Sequence, residues 1–280
     1  VSTLNALIQS SRTKREQAVK PVHKDPHFSV SGINRFMNCR RAAYYWVIRC
    51  ITLKRPRFSL ENGTIWHNAL DVLYSFNSVP AAIKAIEKGF ADLKITIPTN
   101  TAYQINEFEA MLKGMIKGYA AQYLKSDLKT WNFLKTEKEF RIKNFLGTGL
   151  DFVGRFDAIV YIPKGPLKGI WILESKTTSD LTYYETSSIR MSTQFLGYCY
   201  AAKEVTGKKP RGVIWNAIKK PGIRLKKNQT PEAYCKELEE DIPARPEFYF
   251  FREHILVTDA AIEMWQREIN QVALDLQLCM

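Results

Sequence analysis

The chain has 280 residues, 45% of them hydrophobic, and 41 Lys and Arg stand against 28 Asp and Glu, for a formal net charge of +13. That apolar content suffices for one large α/β domain or two small ones, and the charge favours a polyanionic partner, nucleic acid ahead of an anionic membrane. No apolar run approaches the roughly 20 residues of a membrane span, and the polar first residues lack the apolar stretch of a secretory signal, so the expectation is a cytoplasmic protein.

Residues 1–27 are polar and basic, with Pro21 and Pro26, and read as a loose basic arm. The run from Arg12 to Lys20 has the basic, acid-poor character of a transit peptide, but a flexible arm is the simpler reading. Ser29 or Ser31 is placed to cap a helix in which Ile33, Phe36, Met37, Tyr44, Val47 and Ile48 recur with helical period. That phase sends several of the rings of Tyr44, Tyr45 and Trp46 into the core; Cys39 is expected as a buried helix residue, and Arg40 and Arg41 offer a second surface for nucleic acid.

A further helix should follow Asn62, with His67 beside Leu70, Val72, Leu73 and Tyr74. Others are expected from Pro80 to Phe90 and from Thr101 to Lys125. Strands begin near Phe133, and Lys138 to Ile142 alternates. Strands bearing Asp157 and Glu174 come next, then a helix bearing Gln194, a strand over Arg211–Ile218, a strand over Glu247–Arg252, and a helix from Asp259 to Leu278. There are no repeats and no low-complexity linker, so 28–280 reads as one domain: a helical front part (28–130), a sheet core (131–255) and a C-terminal helix (256–280).

The most informative stretch is Gly154-Arg-Phe-Asp157 followed by Trp171-Ile-Leu-Glu174-Ser-Lys176-Thr-Thr. Pro163, Gly165, Pro166 and Gly169 lie between the two apolar runs and predict a hairpin that brings Asp157 beside Glu174. Alternation sends Glu174 and Lys176 one way and Ser175 the other. Two carboxylates and a lysine are what a hard divalent cation and an activated water require. Ordinary surface charges on a half-exposed hairpin would look the same, and these residues alone leave both readings open. Leu173 and Ile172 on opposite faces point to burial on both sides, and a buried carboxylate needs a compensating partner. Downstream, Gln194 and Tyr198 share a helix face at i, i+4.

The order Gly63-x-x-x-His67, Asp157, Glu174-x-Lys176, Gln194-x-x-x-Tyr198 resembles the PD-(D/E)XK nuclease superfamily, in particular its RecB-like and CRISPR-adaptation-nuclease-like branch and the exonucleases of bacteriophages. The segment Phe28 to Tyr45 resembles that branch's first helix, and the likeness covers roughly residues 28–255. It implies a restriction-endonuclease-like α/β fold: a mixed central sheet flanked by helices, with a helical N-terminal portion. It also implies that Asp157, Glu174, His67 and the Ser175 carbonyl ligate Mg2+ or Mn2+. Lys176 would position or deprotonate the attacking water, and Gln194 and Tyr198 would orient substrate or support the lysine. Phe156, in place of a proline, precedes Asp157, a change the branch tolerates.

The five cysteines, Cys39, Cys50, Cys199, Cys235 and Cys279, are scattered and form no C-x-x-C pair, which argues against a disulfide framework or zinc knuckle. Some members of the branch hold a [4Fe–4S] cluster with a cysteine at the position of Cys39 and three near the C-terminus. This sequence ends Gln277-Leu-Cys279-Met without that triplet, and four thiolates are needed. Either this member has no cluster or the remaining cysteines lie beyond this sequence; no cluster is the expectation for this chain.

Lys219, Lys220, Arg224, Lys226 and Lys227 surround the Pro221-Gly222 turn and could grip a DNA backbone or form a solvated surface loop. The implied function is a magnesium-dependent DNA exonuclease of phage-type recombination, replication or repair, acting in the cytoplasm of a bacterial host and with a recombination or replication protein as a further partner. The alternative is a non-cleaving nucleic-acid-binding module of the same fold. Nothing in simple phosphate binding calls for two carboxylates, which favours the nuclease.

Overall fold

A computed structural model of the chain describes residues 19–21, 25–53, 58–96, 102–181, 189 and 191–278. The elements run β1 (Val19–Pro21), β2 (His27–Phe28), α1 (Val30–Asn38), α2 (Arg40–Ala43), β3 (Ile51–Leu53), α3 (Phe58–Phe76), α4 (Val79–Thr96), α5 (Ala102–Tyr119) and α6 (Lys125–Thr130). They continue with β4 (Asn132–Ile142), β5 (Asp151–Ile162), β6 (Gly169–Thr178), α7 (Thr193–Thr206), β7 (Gly212–Lys219), α8 (Pro231–Ala244), α9 (Pro246–Tyr249), β8 (Phe250–Leu256) and α10 (Asp259–Gln277). Backbone contacts sort the chain into two units, one of Val1–Pro56, Glu139–Gly154 and Ala260–Met280, the other of Arg57–Lys138 and Arg155–Asp259.

In the first unit, Ser29 caps α1 by accepting from the Gly32 N–H at 3.1 Å. The helix does not run on to Ile48. Cys39 is extended (φ −162°), and α2 and a π-helical turn over Tyr44–Ile48 restart beyond it. The break resets the helical phase, which corrects two expectations. Cys39 is exposed, not buried, and none of the three adjacent rings is in the core: Tyr44 and Trp46 are half-buried, Trp46 beneath the Arg35 guanidinium at 4.0 Å, and Tyr45 is exposed. The core here is aromatic: Phe145 contacts Phe28, Phe152 and Trp265 at 4.9–6.1 Å between ring centroids. Most of the expected basic arm lies outside the described residues, as does Cys279; its described portion Val19–Pro21 is a strand paired antiparallel with Ile51–Leu53.

The second unit is built on a mixed sheet. β6 is antiparallel to β5, parallel to β7 through the intervening α7, and β8 is antiparallel to β7, while β4 pairs with β5. β7 is flanked on both sides and buried along Gly212–Ile218, which explains its unbroken apolar run. One sheet face carries Trp171, Leu173, Ile214 and Ile218 into a core with Leu70 and Leu73 of α3, Met111 and Met115 of α5 and Leu238 of α8. The alternate face carries Trp215, whose ring lies 5.2 Å from Phe195 of α7. Helices therefore flank the mixed sheet, as expected.

Several boundaries differ from expectation. α3 already begins at Phe58 and α4 continues to Thr96. α5 passes through a π-helical turn at Ala120–Leu124 into α6, beyond the expected end at Lys125. Helix α8 was not expected; Thr230 caps it, with Pro231 in its first turn. It approaches α5 closely because a Cβ on Gly114 or Gly118 would lie 2.8 or 2.4 Å from the Leu238 and Ile242 side chains. The last strand starts at Phe250 rather than Glu247, because Pro246 opens the short helix α9.

Candidate metal centre

The β5–β6 hairpin is paired from Ile162↔Gly169 to Ala158↔Leu173. One more step in that register would set Asp157 opposite Glu174. The ladder ends there, and the Ser175 N–H instead donates to Asp157 Oδ2 at 2.8 Å. A carboxylate thus takes the place of a backbone carbonyl, anchored to β6 by a charge-assisted hydrogen bond.

Helix α3 brings the imidazole. Trp66, Leu70 and Leu73 pin its apolar side, and half-buried His67 reaches Asp157, with Nδ1 3.2 Å from Oδ2 but out of line for a hydrogen bond. Burial alone would favour the neutral ring, yet the adjacent Asp157 charge outweighs it and raises His67 above its ordinary value.

Glu174 is 4% exposed. Its Oε1 accepts from Gln194 Nε2 at 2.6 Å, and Ser192 caps the helix α7 that carries Gln194. Its Oε2 is buried with no partner. Burial, and next the neighbouring Asp157 charge, hold the Glu174 carboxyl well above the usual carboxylate range, with Lys176 acting in the opposite sense. Tyr198, one helical turn beyond Gln194, sets its ring edge-on to Phe156 at 5.5 Å. Its hydroxyl is pushed up by burial and by the Glu174 and Asp157 charges. Lys176 is exposed near the end of β6.

Two sets of residues at the site were not legible in the sequence. Glu137 on β4 has a carboxylate oxygen that lies, with donor atoms of His67 and Asp157, in a group all within 4.8 Å of one another. Burial raises the Glu137 carboxyl, against the pull of Arg155, whose Nε is 2.9 Å from Oε2. Behind Ser175 is a buried polar network. Asn216 Nδ2 donates to Ser175 Oγ and to Tyr119 Oη, both at 3.0 Å. Arg252 bonds Asn216 Oδ1 (3.1 Å), Tyr119 Oη (2.9 Å) and both Asp127 oxygens (2.8 and 3.0 Å). Tyr74 of α3 closes it by donating to Asp127 at 2.7 Å. The network ties the helix that bears His67 to the strand that bears Glu174.

The basic loop is only partly at the site. Lys220 is half-buried, its N–H donates to Thr178 O at 2.6 Å, and burial followed by the Lys176 charge lowers its pKa. Lys219 lies over the Phe248 ring at 3.8 Å. Arg224 and Lys226 are 3.9 and 3.3 Å from Glu107 and Glu237, and Lys227 is exposed.

A divalent cation fits this donor set. His67, Asp71, Glu137, Asp157 and Ser175 line a cavity of about 20 Å3, room for one ion or water. The orphaned Glu174 Oε2 is a buried oxygen without a partner, which a cation would compensate. A larger cavity of about 560 Å3 elsewhere in the same unit is lined by lysines and glutamates already joined in pairs, such as Lys113 with Glu87 and Glu109 at 2.9 Å, and offers no comparable orphan.

A family profile for the PD-(D/E)XK nuclease superfamily matches residues 27–277. Among solved structures, the chain is similar to the crystal structure of SSO0001, at 15% identity over 99% of this chain and 87% of the other, with a TM-score of 0.37. No curated protein sequence matches.

Proposed function

This chain belongs to the PD-(D/E)XK nuclease superfamily, and from that premise we propose that it is a Mg2+- or Mn2+-dependent deoxyribonuclease of the RecB-like, phage-exonuclease type. It hydrolyses phosphodiester bonds from DNA ends in recombination, replication or repair. The observation that carries the reading is the buried, unpartnered Glu174 Oε2 beside Asp157 and its imidazole neighbour His67.

A bound divalent cation would supply an activated water and neutralise charge developing on the phosphate. Asp157, Glu174 and His67 would hold it, with the Ser175 carbonyl as a further donor. Gln194 occupies one Glu174 oxygen and so fixes the direction of the other. Lys176, exposed at the strand end, is free to meet the scissile phosphate and to orient or deprotonate the attacking water. Tyr198 keeps a neutral hydroxyl near both carboxylates and supports Gln194. Lys220, adjoining Lys176, extends the positive surface toward the DNA backbone, in keeping with the net charge of +13.

The test is cleavage of end-labelled linear DNA and of covalently closed circular DNA, with Mg2+, with Mn2+ and with EDTA. Cation-dependent loss of the linear substrate alone supports the reading. Cutting of circles replaces the exonuclease by an endonuclease. No cutting under any condition, with DNA binding retained, leaves the non-cleaving binding module.

A further inference from the structure

We propose that the end of the sheet remote from the metal centre is a second contact for duplex DNA, an anchor that holds the sugar–phosphate backbone while the reaction takes place elsewhere. The inference rests on the nuclease reading and adds to it a surface outside the motif residues and outside the Pro221-Gly222 loop.

β6 and β7 run parallel, paired from Trp171↔Gly212 to Thr178↔Lys219. Glu174, Lys176 and Lys220 lie toward their C-terminal ends. At their N-terminal ends come the β5–β6 turn, residues 163–168, and the last turn of α7 with its loop to β7, residues 203–211. These two segments carry Lys164, Lys168, Lys203, Lys208, Lys209 and Arg211 against one carboxylate, Glu204. All five lysines are exposed. Lys209 pairs with Asp259 at 2.6 Å, whereas Lys164, Lys168 and Lys208 have no ion-pair partner among the described residues. At about 3.3 Å per strand residue, Lys168 stands about 20 Å from Glu174, the axial length of about six base pairs.

Arg211 joins the two segments into one surface. Its N–H donates to Ile170 O at 2.7 Å, and its Nη1 donates to Pro166 O at 2.6 Å and to Lys168 O at 3.1 Å. Gly169 makes the crossing possible: its φ is +144°, and a Cβ there would lie 2.6 Å from Arg211 Cδ. The clamp uses backbone carbonyls and no carboxylate, so it fixes the lysine-bearing turn without neutralising it. Like charges held together in this way repel one another and oppose the fold, and a polyanion relieves that repulsion. Lysines are compact, hydrated point charges that meet phosphates without reading bases. Neither segment contains an aromatic residue on which an unpaired base could stack. The surface therefore suits the backbone of a duplex better than a single strand.

Binding of the full chain in EDTA to a labelled duplex of about 40 base pairs, by fluorescence anisotropy across salt, tests this without reference to activity. Lys164→Gln, Lys168→Gln and Lys208→Gln together should lower the log–log salt slope by about 2.7, three contacts at about 0.9 each, and raise Kd at least about tenfold. Lys84→Gln, Lys88→Gln and Lys129→Gln, which remove the same charge from exposed helix positions, should change the slope by less than about one. With Mn2+ and saturating DNA the first triple variant should cut at the parental rate, while fewer nucleotides are removed per encounter when heparin traps released protein. Parental slope and affinity in that variant overturn the inference, as does an equal loss in the second triple variant, which would reduce the effect to diffuse net charge. A larger loss for single-stranded DNA than for duplex also overturns it, as does parental DNA binding with lost binding to poly-glutamate, which would assign the surface to an acidic protein segment. If the unaltered protein binds no duplex, the nuclease reading falls too. If it binds and cuts, and the first triple variant matches it in both, only the anchor falls.

Discussion

Replacing Glu174 by Gln should stabilise the metal-free protein while destroying its chemistry. In the fold, Glu174 is 4% exposed, one oxygen is satisfied by Gln194 at 2.6 Å, and the other is buried without a partner beside Asp157. The amide keeps the Gln194 contact and removes the like-charge repulsion from Asp157. Relief of one unsatisfied buried polar group is worth about 1–3 kcal/mol, or a rise of about 2–5 °C in thermal midpoint for a chain of this size. The effect should depend on pH with a definite sign. The folded-state pKa of Glu174 is raised above the unfolded value near 4.5, so between the two the folded state binds the proton more tightly and stability falls as pH rises. The advantage of Glu174→Gln should therefore be absent near pH 4.5, grow with pH, and level off above the folded-state pKa. Millimolar Mg2+ or Mn2+ should stabilise the parent and not the variant. Thermal melts across pH in EDTA and in metal measure all of this. A variant less stable than the parent in EDTA at neutral pH would refute the reasoning, since the carboxylate would already be compensated within the protein.

Lys176→Met should abolish cleavage with Mn2+ binding retained, and Lys176→Arg should restore little, because a planar guanidinium cannot replace a compact ammonium; full activity in the arginine variant, by single-turnover cleavage, would reduce the lysine to diffuse charge. In the basic loop, Lys220→Ala should lower the log–log salt slope of duplex binding by about 0.9. Arg224→Ala and Lys226→Ala should change it less, since each cation already lies near a glutamate; equal slopes for all three, measured by fluorescence anisotropy, would contradict that division. Arg252→Met strands the buried Asp127 charge and should cost about 3–5 kcal/mol in urea unfolding. Arg252→Met with Asp127→Leu should recover most of it, and a loss below about 1 kcal/mol in the single variant would show that the network bears little stability.

What was legible followed from local pattern. The hairpin, Glu174, Ser175 and Lys176 were readable because strand alternation and a Pro/Gly turn act over a few residues, and Gln194 because i, i+4 spacing is fixed by helix geometry. The paired direction of Asp157 was readable, but not the ending of the ladder that lets its carboxylate take the Ser175 N–H. Glu137 was missed for a different reason. It sits in a run that reads as an ordinary alternating strand, and a left-handed residue there leaves no mark in composition. Asp127, Asn216 and Arg252 were missed because their partners lie 36 to 133 residues away in sequence. The rings of Tyr44, Tyr45 and Trp46 were misplaced because periodicity was carried across a helix break at Cys39 that only the structure reveals, and helix α8 was missed because its apolar face is defined by its fit to Gly114 and Gly118 on α5.

The central claim is that Asp157 and Glu174 hold the cation that cuts DNA, and one comparison tests it most directly: single-turnover cleavage of end-labelled linear DNA by the parent and by Asp157→Asn, with DNA affinity measured alongside in calcium. The account predicts that cleavage falls by about three orders of magnitude or more, as when a group acting on the developing charge is lost, while affinity is kept or tightened because a negative charge near the phosphate is gone. Near-parental cleavage by Asp157→Asn would contradict it and move the chemistry to another part of the molecule.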